Sequence, residues 1–514
     1  MAIFYDREVE KQLLLEGGKE YFGSGAVIIL KSLLESGISY FASYPGSPTA
    51  TVTSLVERVK RNLLKDLGIY AEESTNEASA ASNLRASISN PVRGAVAFKV
   101  VGFNVAADVI AHIASSGVLG GTLILVGEDY GCNNTLVAEK TLPYAYKSGL
   151  PILDPGASLQ HLSDLIQDGF ALSEHSGSPV IILIRSRVGY MSDVVKAKDN
   201  KRPEKIEIRE EILERLPFPP YTQIQETDKY RYRLPRAEEF VKENRLNKVY
   251  NHIPGKSVGL ITHGILTNIT HRALESIEKS CPIYSLHCLY PLVVSEVVDF
   301  ISDKDSILVV EEGMPNLLEK EIRSIAQTYG VRTRILGKEI IPKAGELCYE
   351  SILKGLSEFF GVSVEIKEEI PNIEITDRKP TFCTGCPERP IFSAIKILKQ
   401  QNPEARLFFS SDIGCYALGG MAPFDFKGSV TGMGTGMASS SALSRIGEGE
   451  ERVISFMGDG TFWHSGLTTS VANALRNDQD AVLVIFYNYH TAMTGHQKNL
   501  STPHEPSPNK KLKT

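Results

Sequence analysis

No apolar run in this chain reaches the roughly 18 residues that a membrane-spanning helix needs, so no membrane partner is expected. Its first residues, Met1 to Glu8, carry charges where a secretory leader has an apolar stretch, and the expected location is cytoplasmic. Positive charge is not in surplus: 55 Lys and Arg stand against 61 Asp and Glu, a net charge of −6. That balance argues against general nucleic-acid binding. Cysteine is scarce, with seven in 514 residues. In a reducing compartment these are thiols or metal ligands rather than a disulfide framework. Cys132, Cys281, Cys288 and Cys348 are scattered, as small buried hydrophobes usually are. A single Cys-x-x-Cys is present and no cysteine follows Cys415, so the paired motifs of a zinc ribbon are missing.

What is present reads as an ordinary globular protein, 42% hydrophobic and 23% charged, long enough for two to four domains. Residues 1–195 hold short apolar runs (Ala95 to Phe98, Thr122 to Val126, Val180 to Ile184) between helical patterns such as Gly25 to Ser36 and Asn76 to Ser87. That alternation predicts a parallel sheet covered on both faces. Residues 196–250, rich in charge and then in proline, read as a linker with one or two surface helices. Residues 251–375 form a second α/β unit, with strands over Ser257 to Thr262 and Ser306 to Val310. Glu311 and Glu312 at the tip of the latter read as a solvated edge or a helix cap rather than a site. Residues 376–514 form a third α/β unit that looks short, ending in a polar tail with Pro503, Pro506 and Pro508.

The third unit carries the strongest signal. An apolar run, Val453 to Met457, ends in Gly458-Asp459-Gly460, and a second, Ile485 to Tyr487, ends in Asn488. Two adjacent parallel strands would place these polar residues at one sheet edge, where Asp459 and Asn488 supply hard oxygen ligands to Mg²⁺. Gly458 and Gly460 let the backbone approach phosphate at a helix N-terminus. Gly-Asp-Gly alone is common in turns. The spacing, the flanking runs and the Asn make it the signature of a thiamin diphosphate (ThDP) site and point to chemistry on 2-oxo acids.

ThDP also needs a carboxylic acid beside its aminopyrimidine, buried so that it holds a proton. Glu77, within Ser74 to Ser82 at the head of a helix rich in small residues, is the candidate. An acid favoured at a helix start by the dipole is the plain alternative. Thr431 to Met437, with Gly432, Met433 and Gly434, is a glycine-rich turn that either approaches the cofactor or simply enters a close-packed helix. Tyr44 to Thr49 is a rigid loop whose hydroxyls would meet a substrate carboxylate, a plain turn being the default. Cys383 and Cys386, with Cys415 as a third thiol, fit zinc, a dithiol or an iron–sulfur cluster. A four-iron cluster asks for four thiolates, and three are here. Phe462, Trp463 and His464 hint at an aromatic pocket or at ordinary core packing.

Read together, Tyr44 to Pro48, Ser74 to Glu77, Lys99 to Asp108, Phe382 to Pro387, Ser411 to Tyr416, Gly458 to Gly466 and Thr491 to Gln497 resemble the large subunit of indolepyruvate:ferredoxin oxidoreductases, a branch of the 2-oxoacid:ferredoxin oxidoreductases. The resemblance runs from about residue 20 to 500. It implies a multi-domain ThDP-binding α/β fold with parallel sheets flanked by helices and a transketolase C-terminal-like middle domain. It implies a pyrimidine-binding domain over 1–195 and a diphosphate-binding domain over 376–514.

Glu77 would then activate ThDP, and Ser47 would lie at the substrate carboxylate. Asp459, Asn488 and the carbonyl of His490 would bind Mg²⁺. Cys415, Tyr416, Gly432, Met433, Gly434, Gly458, Gly460 and Thr461 would line the cofactor. Cys383, Cys386 and Cys415 would sit where relatives hold a 4Fe-4S cluster. The reaction would be oxidative decarboxylation of an arylpyruvate, with coenzyme A taking the acyl group and ferredoxin the electrons. A smaller subunit and a second copy of this chain are the expected partners. The chain departs from the family in lacking the fourth cluster cysteine and the cysteine-rich C-terminal segment, and in reading Gly46-Ser47-Pro48 for Gly-Thr-Pro. Those departures keep two alternatives in play: a non-oxidative ThDP decarboxylase and an inactive binding subunit.

Overall fold

The computed structural model describes residues 2–210, 212–251, 257–364, 376, 379–426, 428–446 and 452–503, with side chains from residue 7 onward except those of 443 and 444. The boundary expected near residue 375 and the tail beyond 503 lie outside them. The chain forms two compact units, 1–368 and 369–514.

The first unit holds two large sheets and a two-stranded antiparallel pair, Glu20–Ser24 with Ser192–Lys196. The larger has seven strands, ordered Cys288–Tyr290, Ile152–Leu153, Val180–Arg185, Thr122–Glu128, Gly94–Lys99, Tyr40–Ser43 and Tyr70–Glu73. All run parallel except the first, which is antiparallel to its neighbour. The three central apolar runs are buried along their whole length. Alternation sends Ala95 and Ala97 into a core on one face, and Val96 and Phe98 into a core on the other. The sheet is therefore covered on both faces, as the continuous apolar runs predict. Gly94 is bare because the Tyr40 ring lies over it, where a Cβ would come within 1.9 Å of the ring.

The smaller sheet has five strands, ordered Arg334–Leu336, Ser306–Val310, Val258–His263, Ile283–Leu286 and Lys248–Tyr250, the last antiparallel. Past Ser306–Val310, Glu311 and Glu312 are buried, which corrects the solvated-edge reading. Glu311 accepts from the backbone N–H of Leu318 and Glu319 at the start of the Leu317–Thr328 helix, so the cap reading holds, and it pairs with Lys140 at 2.5 Å. Glu312 pairs with buried Arg185 at 2.6 Å. Arg185 also holds Asp154 at 3.0 Å, and Asp154 reaches His263 at 2.7 Å. Burial alone would raise the Asp154 carboxyl; Arg185 and His263 hold it well below the usual range instead. Helical residues 221–243 follow the proline-rich stretch, and Arg233 there donates to the carbonyls of Ala114 and Ser115.

The second unit holds a four-stranded parallel sheet, ordered Ser429–Val430, Leu407–Ser411, Arg452–Gly458 and Ala481–Phe486, and a two-stranded antiparallel pair, His490–Thr491 with Gln497–Lys498. Its core is aromatic: Phe392 from the Glu388–Gln401 helix packs against Phe382, Phe424, Phe426, Phe456 and Phe486. The parallel arrangement brings the carboxyl ends of three strands to one edge, and the residues just beyond them are Asp412, Asp459 and the turn at Asn488.

Candidate active site

In the first unit, Tyr40–Ser43, Tyr70–Glu73 and Gly94–Lys99 are neighbours whose carboxyl ends lie side by side. The segment after the first is held too tightly for a plain surface turn. Thr49 Oγ1 donates to the Gly46 carbonyl at 2.8 Å, and Thr51 Oγ1 to that of Pro48 at 2.9 Å. A Cβ on Gly46 would lie 2.7 Å from Lys99 Cβ, and one on Gly127 2.7 Å from Pro48 Cδ. Half-buried Ser47 stands in this fixed segment.

Glu77 follows the second strand. Asn76 caps its helix by accepting from the Ser79 N–H at 2.9 Å. The carboxyl lies against bare Gly102, where a Cβ would come within 2.3 Å of Glu77 Oε1. Burial pushes this acid up to about 7, whereas an ordinary helix-start acid stays ionised. Glu73, which sequence patterning does not single out, is pushed to about 7 as well, by burial first and then by the charge of Glu57. Its Oε1 is buried without a hydrogen-bond partner. Tyr44 is raised by burial and then by Glu77 and Glu73, so the three share one electrostatic neighbourhood.

In the second unit, Asp459 accepts two backbone N–H groups, from Gly460 at 2.9 Å and from Tyr489 at 2.8 Å. The second ties the Gly-Asp-Gly segment to the Asn488 turn, where Tyr489 adopts a left-handed backbone, φ 68°. Asn488 Oδ1 accepts from the His490 N–H at 3.0 Å. Behind Asp459 the helix widens to a π-type segment, Phe462–Val471, of the kind found at functional sites. Trp463 donates to Ser501 Oγ at 2.9 Å. His464 is pushed down to about 4 by burial, against the charge of Asp459.

Whether this edge fits a diphosphate and its cation is tested at Gly460. A Cβ there would stand 2.3 Å from Thr491 Oγ1 and 3.2 Å from Asn499 Nδ2. Both polar atoms are buried and have no hydrogen-bond partner. Two orphaned donors beside a bare backbone next to a buried carboxylate fit such a group.

Asp412 organises the rest and is a residue that sequence patterning assigned no role. Its Oδ1 accepts from the Tyr416 hydroxyl and its Oδ2 from the Gly434 N–H at 2.9 Å. Tyr416 Oη also lies 3.2 Å from Thr461 Oγ1, and a Cβ on Gly458 would stand 3.2 Å from its ring. Gly434, at φ 83°, sits where a Cβ would strike Ser465 Oγ, and Ser465 donates to the Met433 carbonyl at 3.2 Å. Tyr416, Met433, Gly434, Gly458 and Thr461 are thus drawn together around Asp412, while Gly432 is exposed at the start of the turn.

Cys383 is exposed, Cys386 and Cys415 half-buried. They are close enough for Cys386 and Cys383 to act on Cys415, whose thiol is pushed to about 11 by burial, then Glu388, then the two thiols. Among the described residues no group of three or more His, Cys, Asp or Glu side chains stands ready to hold a metal. Arg389 instead fixes the Cys-x-x-Cys turn by donating to the carbonyls of Cys383 and Phe382.

Comparison with known proteins agrees with this geometry. The thiamine pyrophosphate enzyme C-terminal TPP-binding domain matches residues 412–513, which contain Asp412, Asp459 and Asn488. The indolepyruvate oxidoreductase subunit IorA of Methanothermobacter thermautotrophicus is 30% identical over 505 residues, covering 96% of this chain and 79% of the relative. That of Pyrococcus abyssi is 28% identical, covering 98% and 79%. A solved 2-oxoglutarate:ferredoxin oxidoreductase from Magnetococcus marinus, with 2-oxoglutarate, coenzyme A and succinyl-CoA bound, superposes with a TM-score of 0.52. That match has 15% identity and covers 66% of this chain and 65% of that one, so it speaks to the fold. No helix among the described residues is long and apolar enough to cross a membrane. The fold, the thiamin-diphosphate-binding domain and the extent of the match place this chain in the family of the indolepyruvate oxidoreductase subunit IorA.

Proposed function

We propose that this chain is the ThDP-binding subunit of an enzyme that oxidatively decarboxylates a 2-oxo acid, an arylpyruvate such as indolepyruvate. The acyl group passes to coenzyme A, two electrons to a ferredoxin, and CO₂ leaves. The observation that carries this reading is the cradle at Gly460, flanked by orphaned Thr491 Oγ1 and Asn499 Nδ2 and by buried Asp459.

Asp459, Asn488 and the His490 carbonyl would hold Mg²⁺, the oxygen-rich set that this ion prefers. Gly458, Gly460 and the Gly432–Gly434 turn give the backbone close access. ThDP supplies a nucleophilic carbon and an electron sink for loss of CO₂. Glu77, its carboxyl raised to about 7, keeps or shares a proton at the aminopyrimidine near neutral pH. Ser47 receives the substrate carboxylate. The smaller partner subunit and a second copy of this chain complete the enzyme. Cys383, Cys386 and Cys415 would need a fourth ligand and a rearrangement to hold an iron–sulfur cluster, so no step is assigned to one.

That thiol arrangement favours a second reading, in which the same site releases an aldehyde without oxidation. Product analysis separates the two. The complete enzyme, given phenylpyruvate, coenzyme A and an oxidised acceptor under argon, is expected to form phenylacetyl-CoA. Phenylacetaldehyde as the sole product would refute the oxidative reading.

A further inference from the structure

Lys99 ends the Gly94–Lys99 strand and immediately precedes the 17-residue helix Val100–Ser116, yet it is only 7% exposed. Its ammonium has three N–H donors. One of them reaches the Asn134 carbonyl at 2.5 Å, and Asn134 is in turn held by its N–H on Asp129 Oδ2 at 2.7 Å. Asp129 already acts on this charge from nearby, and a buried ammonium with donors to spare is further stabilised by an anion that arrives there.

Its surroundings point to what arrives. The side chain lies against Gly46, next to Ser47, with 2.7 Å from Lys99 Cβ to where a Gly46 Cβ would be. Ser43 pairs with Ala97, two residues before Lys99, so strand alternation puts Ser43 and Lys99 on one face. Ser43 Oγ is buried, the residue 1% exposed, and has no hydrogen-bond partner. A half-used buried cation, an unused buried hydroxyl, Ser47 and the start of a long helix all lie at the end of one strand pair.

Resting on the function proposed above, we propose that Lys99 binds the carboxylate of the 2-oxo acid substrate. Loss of CO₂ discharges that carboxylate, so attraction to Lys99 is strong in the bound substrate and fades toward the transition state. Lys99 therefore contributes to substrate affinity more than to the chemical step.

The test uses the complete enzyme with phenylpyruvate. Lys99→Met is expected to raise KM roughly 10- to 100-fold, the worth of a charge-assisted hydrogen bond, with kcat held or raised. Lys99→Arg should keep KM within a few-fold. A pH profile separates binding from mere structural support. Burial pushes the Lys99 amine down to about 8, opposed by Asp129 and Cys132. Wild-type KM should therefore climb above pH 8 as the amine loses its proton. Arginine at this position should flatten the climb, and Cys132→Ser should leave it in place. Tyr44, on the turn packed against Lys99, titrates far above that range. Calorimetric ThDP affinity should be unchanged in every variant. Unchanged KM in Lys99→Met with full ThDP affinity would overturn the assignment of Lys99 alone. A wild-type chain that binds no ThDP would overturn the function on which it rests, and the assignment with it.

Discussion

Replacing Glu77 by Gln should stabilise the cofactor-free protein at alkaline pH while abolishing its activity. Glu77 titrates at about 7 in the folded chain, against 4.5 for an exposed glutamate, because burial penalises its charge. The folded state thus holds this proton more tightly than the unfolded state. Its contribution to stability is complete below pH 4.5 and is lost as pH rises to about 7. Beyond that, wild type carries a buried carboxylate at a cost of about 3 kcal/mol, from 1.36 kcal/mol per pK unit. Gln is neutral throughout and does not incur this cost. The variant's advantage should grow between pH 4.5 and 7, then level off. Any fixed offset from the new amide shifts both ends equally, so the slope is the readout. Thermal midpoints of the apo chain from pH 4.5 to 8.5, with turnover assayed in parallel, measure both effects. Parallel midpoint curves would refute the raised carboxyl, and turnover at the wild-type rate would refute its role.

Gly460→Ala should cost about 1–3 kcal/mol, as overpacking does, and weaken ThDP binding, because its Cβ would stand 2.3 Å from Thr491 Oγ1. Adding Thr491→Ala should recover stability, and denaturant titration showing strict additivity would contradict the contact. Asp459→Ala leaves the Gly460 and Tyr489 N–H groups without their carboxylate. It should abolish the Mg²⁺-dependent part of ThDP affinity, read by calorimetry with and without chelator. Arg185→Met leaves Asp154 and Glu312 buried without their cation. A loss of about 3–5 kcal/mol is expected from urea denaturation.

The strands were readable because their apolar runs are continuous. Val180–Arg185 and Thr122–Glu128 are buried on both faces and advertise themselves as parallel core strands. The position of Asp459 and Asn488 at the sheet edge was readable for a like reason, since each follows an apolar run. At Glu311 and Glu312 the cap reading holds for the first, and the solvated-edge reading fails because their cations, Lys140 and Arg185, are distant in sequence and arrive only with the fold. Asp412 and Thr491 entered only as members of matched segments, and Glu73 and Asn499 not at all, because their significance lies in what they meet or fail to meet. Asp412 matters through Gly434, and Thr491 through the missing side chain of Gly460. The cysteines were legible only as a spacing: Cys383 and Cys386 lie near Cys415 in the fold, and a fourth ligand has no signal in the sequence.

The central claim, a ThDP site built for 2-oxo acid oxidation, is tested most directly by anaerobic dye reduction. The chain is assembled with its smaller partner subunit and supplied with ThDP, Mg²⁺, coenzyme A and indolepyruvate or phenylpyruvate, and reduction of methyl viologen is followed. The account predicts reduction that stops when any one component is withheld. Tight ThDP binding with no reduction under any combination would contradict it.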